Sequence, residues 1–95
     1  MRPAPDAQLQ AVLAEVARAR AAGLAVAAQE LADLTPGDQA VRSAYTARLP
    51  ELVREVMEAA VAYDRSAGLT WEGIGEWLEL HPDTARSRYG APGKS

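Results

Sequence analysis

Alanine makes up 21 of the 95 residues, and this excess of one residue type limits what the chain can fold into. Alanine has the highest intrinsic helix propensity, because its side chain loses no rotamer freedom in a helix. The chain also has no Phe, three Tyr and few β-branched residues, so a stable sheet is hard to build. The sequence therefore predicts an all-α protein.

Length and composition exclude several classes of protein. A chain of 95 residues makes one small domain, with too little core to enclose a deep catalytic cavity. The absence of cysteine removes disulfides, thiolate nucleophiles and zinc-cysteine sites. With one His and scattered carboxylates, we expect no enzyme, no metal and no cofactor. The apolar runs are too short for a membrane span or a signal peptide, so we expect a cytoplasmic protein without membrane contact.

The net charge of −3 opposes binding to nucleic acid, because that affinity depends on Lys and Arg neutralising phosphates. The charge is unevenly distributed, however. Residues 70–80 hold three acidic groups and no basic group, whereas residues 81–95 hold three basic groups and one acidic group. Only this C-terminal segment is positive.

The N-terminal part of the chain predicts one long amphipathic helix. Apolar residues recur at helical spacing from Asp6, a plausible N-cap, to Leu34, and a bend or break at Gly23 is left open. If continuous, such a helix extends roughly 40 Å at 1.5 Å per residue, which is longer than a small helical core. Part of its apolar stripe must therefore contact another partner.

Two proline-containing segments predict helix boundaries further along. Residues 35–38, Thr-Pro-Gly-Asp, combine a capping residue, a proline and an acid as at a helix start, and predict a second helix through Val41 and Leu49. At Pro50 we expect a break or a sharp kink, because proline has no backbone N–H. The apolar face that follows ends at Gly68, which suits the left-handed position after a helix.

Residues 69–89 predict two short helices in sequence. A helix of about nine residues, capped by Thr70, is followed by a tight turn at Glu79–His81 and a second helix that begins at Pro82. The apolar residues on the facing sides are Ile74 and Leu78 on the first helix, Leu80 in the turn, and Ala85 and Tyr89 on the second. Gly75 would let the second helix cross closely.

Residues 69–89 resemble the helix-turn-helix family, in particular its small tri-helical members. The stretch Thr84-Ala85-Arg86-Ser87-Arg88 is similar to the Thr-aliphatic-basic-Ser-Arg stretch of DNA-binding region four of sigma factors. The resemblance extends over roughly 40 residues when the supporting helix from Pro50 is included. Two positions depart from the pattern: Glu79 stands where Gly is usual, and His81 stands where a capping Ser is usual.

The resemblance implies that residues 82–89 form a recognition helix in the major groove of double-stranded DNA. Arg86 is the first candidate for reading a base, because a guanidinium can pair with guanine through two hydrogen bonds. The full set of predicted DNA contacts is Thr70, His81, Asp83, Thr84, Arg86, Ser87 and Arg88. In the alternative interpretation, His81 only fills the turn, and Arg86 and Arg88 are solvated charges or partners of nearby carboxylates.

A single helix-turn-helix contacts only a few base pairs, so we expect a DNA-binding transcriptional regulator that forms a homodimer. The predicted segments are a disordered arm at 1–5, N-terminal helices for packing and dimerisation at 6–49, the helix-turn-helix domain at 50–89 and a flexible tail at 90–95.

The alternative hypothesis is a protein-interaction adaptor with the same fold and no role in DNA binding. Its contact would be Trp77 or the acidic stripe of Glu72, Glu76 and Glu79. For Trp77 itself, packing under the N-terminal helices is the favoured expectation, since large aromatic side chains dominate cores as well as interfaces.

Overall fold

Helices account for most of the chain in a computed structural model that describes residues 6–90. Within that range there are four α-helices and no strand, which confirms the all-α prediction. The helices are α1 (Ala7–Ala32), α2 (Leu49–Ser66), α3 (Trp71–Leu78) and α4 (Pro82–Tyr89), and a short 3₁₀ helix (Arg42–Thr46) lies between α1 and α2. The arm predicted at 1–5 lies outside the described residues, and so does the tail predicted at 90–95 except for Gly90.

Helix α1 is one continuous helix of 26 residues, about 39 Å long. Asp6 caps it as predicted, since its carboxylate accepts hydrogen bonds from the amides of Gln8 and Leu9 at 2.9 and 3.2 Å. The helix does not break at Gly23. One glycine weakens a helix by about 1 kcal/mol, which is too little to interrupt a segment so rich in alanine.

The prediction that a helix begins at Thr35 is wrong. The amide of Asp38 donates to the carbonyl of Thr35 at 3.1 Å, and Gly37 has a φ of 95°. Proline followed by glycine favours a type II turn, in which the third residue is left-handed, and a helix cannot continue through such a residue. The chain therefore turns here, and only the 3₁₀ helix Arg42–Thr46 forms before α2.

Both ends of α2 are set by local signals. Pro50 is the second residue of the helix, where its missing N–H leaves no bond unmade, so the predicted break is confirmed. At the other end Gly68 has a φ of 101°. The amides of Gly68 and Leu69 donate to the carbonyls of Arg65 and Asp64 at 3.0 and 2.9 Å. This Schellman motif ends α2 and directs the chain into α3.

Helix α1 lies antiparallel against α2. The side-chain amide of Gln10, near the start of α1, donates to the carbonyl of Ser66, at the end of α2, at 3.2 Å. The half-buried α1 residues along this contact are Gln10, Leu13, Val16, Ala17, Leu24, Ala27 and Leu31. No residue of α1 is fully buried, so the core of the molecule lies elsewhere.

The core lies where α2, α3 and α4 meet. Val61, Ile74 and Ala85 form its buried centre. Around them pack the half-buried side chains of Trp71, Leu78, Leu80 and Tyr89. Because these include every residue predicted to face inward on the last two helices and their turn, the predicted packing is confirmed. Full burial of a side chain such as that of Ile74 contributes about 1.5–3 kcal/mol.

Gly75 lies where the turn between α3 and α4 passes over α3. A Cβ atom at this position would lie 2.5 Å from the carbonyl oxygen of Leu80 and 3.4 Å from the nitrogen of Pro82. Since both atoms belong to the backbone, they cannot move aside as a flexible side chain could. The absence of a side chain at Gly75 thus allows the close crossing.

We expect Gly75→Ala to lower the free energy of unfolding by about 1–3 kcal/mol, because the added methyl overpacks the turn. Gly73→Ala is a matched control in the same helix. Its Cβ would lie 3.5 Å from side-chain atoms of Leu69 and Thr70, an ordinary contact, and it should gain up to about 1 kcal/mol of helix propensity. Urea unfolding followed by circular dichroism measures both, and equal stability of the two variants would contradict the close crossing.

Candidate nucleic-acid interface

Side chains just before α3 and α4 cap both helices. The Oγ1 atom of Thr70 accepts a hydrogen bond from the amide of Gly73 at 3.0 Å, which confirms the predicted cap. At the start of α4, Nδ1 of His81 accepts from the amide of Asp83 at 3.1 Å. The imidazole nitrogen thus replaces the serine oxygen that is usual at this capping position. With Nδ1 as acceptor, the neutral ring carries its hydrogen on Nε2, and this exposed group remains free to donate to a ligand.

Glu79 turns the chain between the two helices. Its φ and ψ of 59° and 43° are left-handed, and the amide of Leu80 donates to the carbonyl of Gly75 at 2.8 Å. Leu80 then packs on the core next to Ile74. A residue with a side chain pays about 1 kcal/mol in this conformation, which explains why glycine is usual there.

Helix α4 is held by one side and presents the other to solvent. Ala85 has 0 % of its surface exposed, and the hydroxyl of Tyr89 donates to the sulfur of Met57 on α2 at 3.8 Å. The exposed residues are Asp83, Thr84, Arg86, Ser87 and Arg88. Together with His81 they place six of the seven predicted contact residues on one exposed segment. Thr70, the seventh, caps the end of α3 that lies away from the turn.

The two arginines of α4 differ in their electrostatic surroundings. The guanidinium of Arg86 pairs with the carboxylate of Asp83 at 2.9 Å, and the two side chains are 63 % and 74 % exposed. Arg88 makes no ion pair with any residue in 6–90. Of the two forms of the alternative interpretation, pairing with a carboxylate therefore applies to Arg86, and a solvated charge applies to Arg88. Such an exposed pair is worth about 0–1 kcal/mol, so a phosphate or a base edge can compete for Arg86.

The arginines of α2 are engaged by their own chain. Arg54 lies between Glu51 and Glu58, and its hydrogen bond lowers the pKa of the Glu51 carboxyl group. Arg65 stacks over the ring of Trp71 at 4.7 Å from the ring centre. Since α3 carries no basic residue, Arg88 of α4 is the arginine of these three helices that has no ionic or aromatic partner among residues 6–90.

Trp77 is 82 % exposed, so the expectation that it packs under the N-terminal helices is wrong. Ile74 and Leu78 occupy the inward side of α3, whereas α1 packs on a different face of α2, around Ala59. Nothing in the described chain covers Trp77, which borders an apolar groove of about 160 Å³ together with residues of α2 such as Met57. The sequence contains no local signal for where α1 would lie, so this exposure could not be predicted.

No family model, no curated protein and no solved structure matches this chain. Within residues 6–90, none of the helices is both long and apolar enough to cross a bilayer. The same part of the chain has no cluster of three His, Cys, Asp or Glu side chains that could hold a metal ion. The function proposed below therefore rests on the geometry of α3, the turn and α4.

We expect Glu79→Gly to raise the free energy of unfolding by about 1 kcal/mol, since glycine adopts the left-handed conformation without strain. Glu79→Ala removes the same carboxylate but keeps a Cβ atom, so it should bring no such gain. Thermal unfolding of the three proteins compares them. A similar gain in both variants would attribute the effect to the lost charge and not to the backbone.

Proposed function

We propose that the protein is a cytoplasmic transcriptional regulator that binds double-stranded DNA, with α4 as a recognition helix in the major groove. The observation that carries this proposal is the one-sided burial of α4. Ala85 anchors the helix to the core, while its polar residues and both arginines face solvent. The resemblance to tri-helical helix-turn-helix proteins and to region four of sigma factors supports the same function.

The exposed residues divide into base-reading and phosphate-binding groups. Arg86 can form two hydrogen bonds with guanine, and a good pair of this kind is worth about 1–3 kcal/mol of discrimination. Ser87 and Asp83 lie beside it on the helix and can also reach base edges. Arg88 and Thr84 flank this group and suit phosphate oxygens. The phosphate contacts hold the helix in register on the DNA, whereas the base contacts select the DNA sequence.

His81 and Thr70 mark the two helix starts, where free backbone amides and the helix dipole favour an anion. The Nε2–H of His81 can donate to a phosphate, since its Nδ1 already caps α4. Glu72 and Glu76 are exposed on α3 and would repel phosphates. The DNA must therefore approach from the side of α4, and the net charge of −3 predicts weak binding to random sequence.

We expect Arg86→Ala to reduce discrimination between DNA sequences by about 1–3 kcal/mol. Arg88→Ala should lower the affinity for all DNA sequences alike. It should also reduce the slope of log K against log salt concentration by about 1, because it removes one phosphate contact. Fluorescence anisotropy with mixed genomic duplexes at low salt measures both effects.

Arg18→Ala is the matched control. Arg18 is an exposed arginine paired with Glu15 three residues away, as Arg86 is with Asp83, but it lies on α1. Its removal should leave binding unchanged. The proposal fails if the protein does not bind, or if neither α4 variant differs from this control.

A protein-interaction adaptor is the second candidate, and the exposure of Trp77 favours it. An exposed tryptophan beside an apolar groove is the kind of residue that dominates binding energy at protein interfaces. We expect a protein partner of this kind to remain bound in a pull-down after nuclease treatment and to be lost with Trp77→Ala. A partner that disappears after nuclease treatment is bridged by DNA and supports the first function instead.

A further inference from the structure

Helix α1 carries a second apolar face that its contact with α2 leaves largely uncovered. Its residues, which we call the free stripe, are Leu9, Val12, Val16, Ala19, Gly23 and Val26. Val12 and Val26 are 58 % and 60 % exposed. Only Val16 is half-buried, because it lies at the edge of the contact with α2, beside Ala59. A helix that is apolar on more than one side normally has more than one partner.

The spacing of the free stripe alternates between three and four residues, which is the a and d pattern of a coiled coil. The residues that face α2, such as Leu13 and Leu24, follow the same spacing one residue later along the chain. One residue corresponds to a rotation of about 100° around a helix. A second helix can therefore contact the free stripe from a neighbouring side without displacing α2.

We propose that the free stripe binds the free stripe of a second copy of this chain, with the two α1 helices parallel and in register. The charges beside the stripe favour this orientation. Glu15 occupies a g position and Arg20 the next e position, five residues later. Arg20 lies at the border between the free stripe and α2, where it lines a groove with Glu55 and Glu58. It is exposed and forms no ion pair with another residue of 6–90, so it remains available to a second copy. In a parallel pair these positions face each other across the interface, so Glu15 of each copy meets Arg20 of the other.

An antiparallel pair would lack this attraction. There g positions face g positions and e positions face e positions, and the other g residues of α1 are neutral: Gln8, Ala22 and Gln29. Glu15 would then meet another Glu15 or a neutral residue. Within one copy Glu15 pairs with Arg18, but both side chains are well exposed and that pair is easily exchanged.

The small residues of the free stripe suit close contact between two helices. A Cβ atom built at Gly23 would have no atom of the described chain within 4 Å. Within one copy this glycine therefore lowers helix stability by about 1 kcal/mol without a packing reason. In the parallel pair, Ala19 and Gly23 let the two backbones approach each other.

The parallel orientation has a consequence that rests on the proposed function. Because Gln10 contacts Ser66, the chain leaves α2 for α3 and α4 near the start of α1. A parallel pair then has both α4 helices at the same end of the dimer, where they can reach neighbouring turns of DNA. In an antiparallel pair they would lie at opposite ends of a helix about 39 Å long.

Cysteine cross-linking tests the orientation directly, because the chain has no native cysteine. Under mild oxidation, we expect Val12→Cys and Val26→Cys each to form a covalent dimer with itself. Ala14→Cys, on the opposite side of α1, is the control and should not. An antiparallel pair would instead join Val12→Cys to Gly23→Cys in a mixture. That result, or equal cross-linking of the control, would overturn the proposal.

Sedimentation equilibrium without DNA tests the dimer itself. We expect Val12→Glu together with Val26→Glu to raise the dimer Kd at least about tenfold, because charges are then buried in an apolar interface. Both positions are exposed in one copy, so circular dichroism should show unchanged helix content. The single variant Glu15→Arg should raise the dimer Kd, and the double variant Glu15→Arg with Arg20→Glu should restore it.

A wild-type chain that stays monomeric at all concentrations would refute the dimer. It would leave the DNA-binding proposal to be decided by the α4 variants, so the two failures are distinguishable.

Discussion

The mutual packing of Val61, Ile74 and Ala85 in the core is the interaction on which the candidate interface depends. An eight-residue helix such as α4 is unstable in isolation, because forming its first turn is unfavourable and few bonds follow. It persists here because the small side chain of Ala85 lets the backbone of α4 approach the core, with Tyr89 packing beside it. The same contact decides which residues of α4 remain available to a ligand.

The turn before α4 shows how local chemistry satisfies an unusual sequence. His81 supplies a ring nitrogen where a hydroxyl oxygen is common, and this nitrogen accepts a hydrogen bond from the amide of Asp83. Glu79 adopts the left-handed conformation at some cost in stability, and Gly75 leaves room for the backbone that follows. The packing of Leu80 against the core that contains Ile74 holds this turn in place.

Helix α2 connects the two parts of the molecule. One of its faces contributes Val61 to the core, and another receives α1 around Ala59. Helix α1 buries none of its residues completely, so it stabilises one copy less than its length suggests. The proposed pairing with a second copy would cover the remaining apolar surface of α1. Helix α2 would then fix the position of each α4 relative to the dimer interface.

Short-range signals determined much of this protein. The caps at Asp6 and Thr70, the break at Pro50 and the stop at Gly68 each involve groups only a few residues apart, so the sequence alone predicts them.

The turn at residues 35–38 is local as well, since proline followed by glycine favours a type II turn with a left-handed Gly37. Tertiary structure decided which faces of the helices are covered. Trp77 is exposed because α1 packs on another face of α2, a contact between residues far apart in the chain. Spacing on one helix shows which residues share a side, but not which side a distant helix will cover.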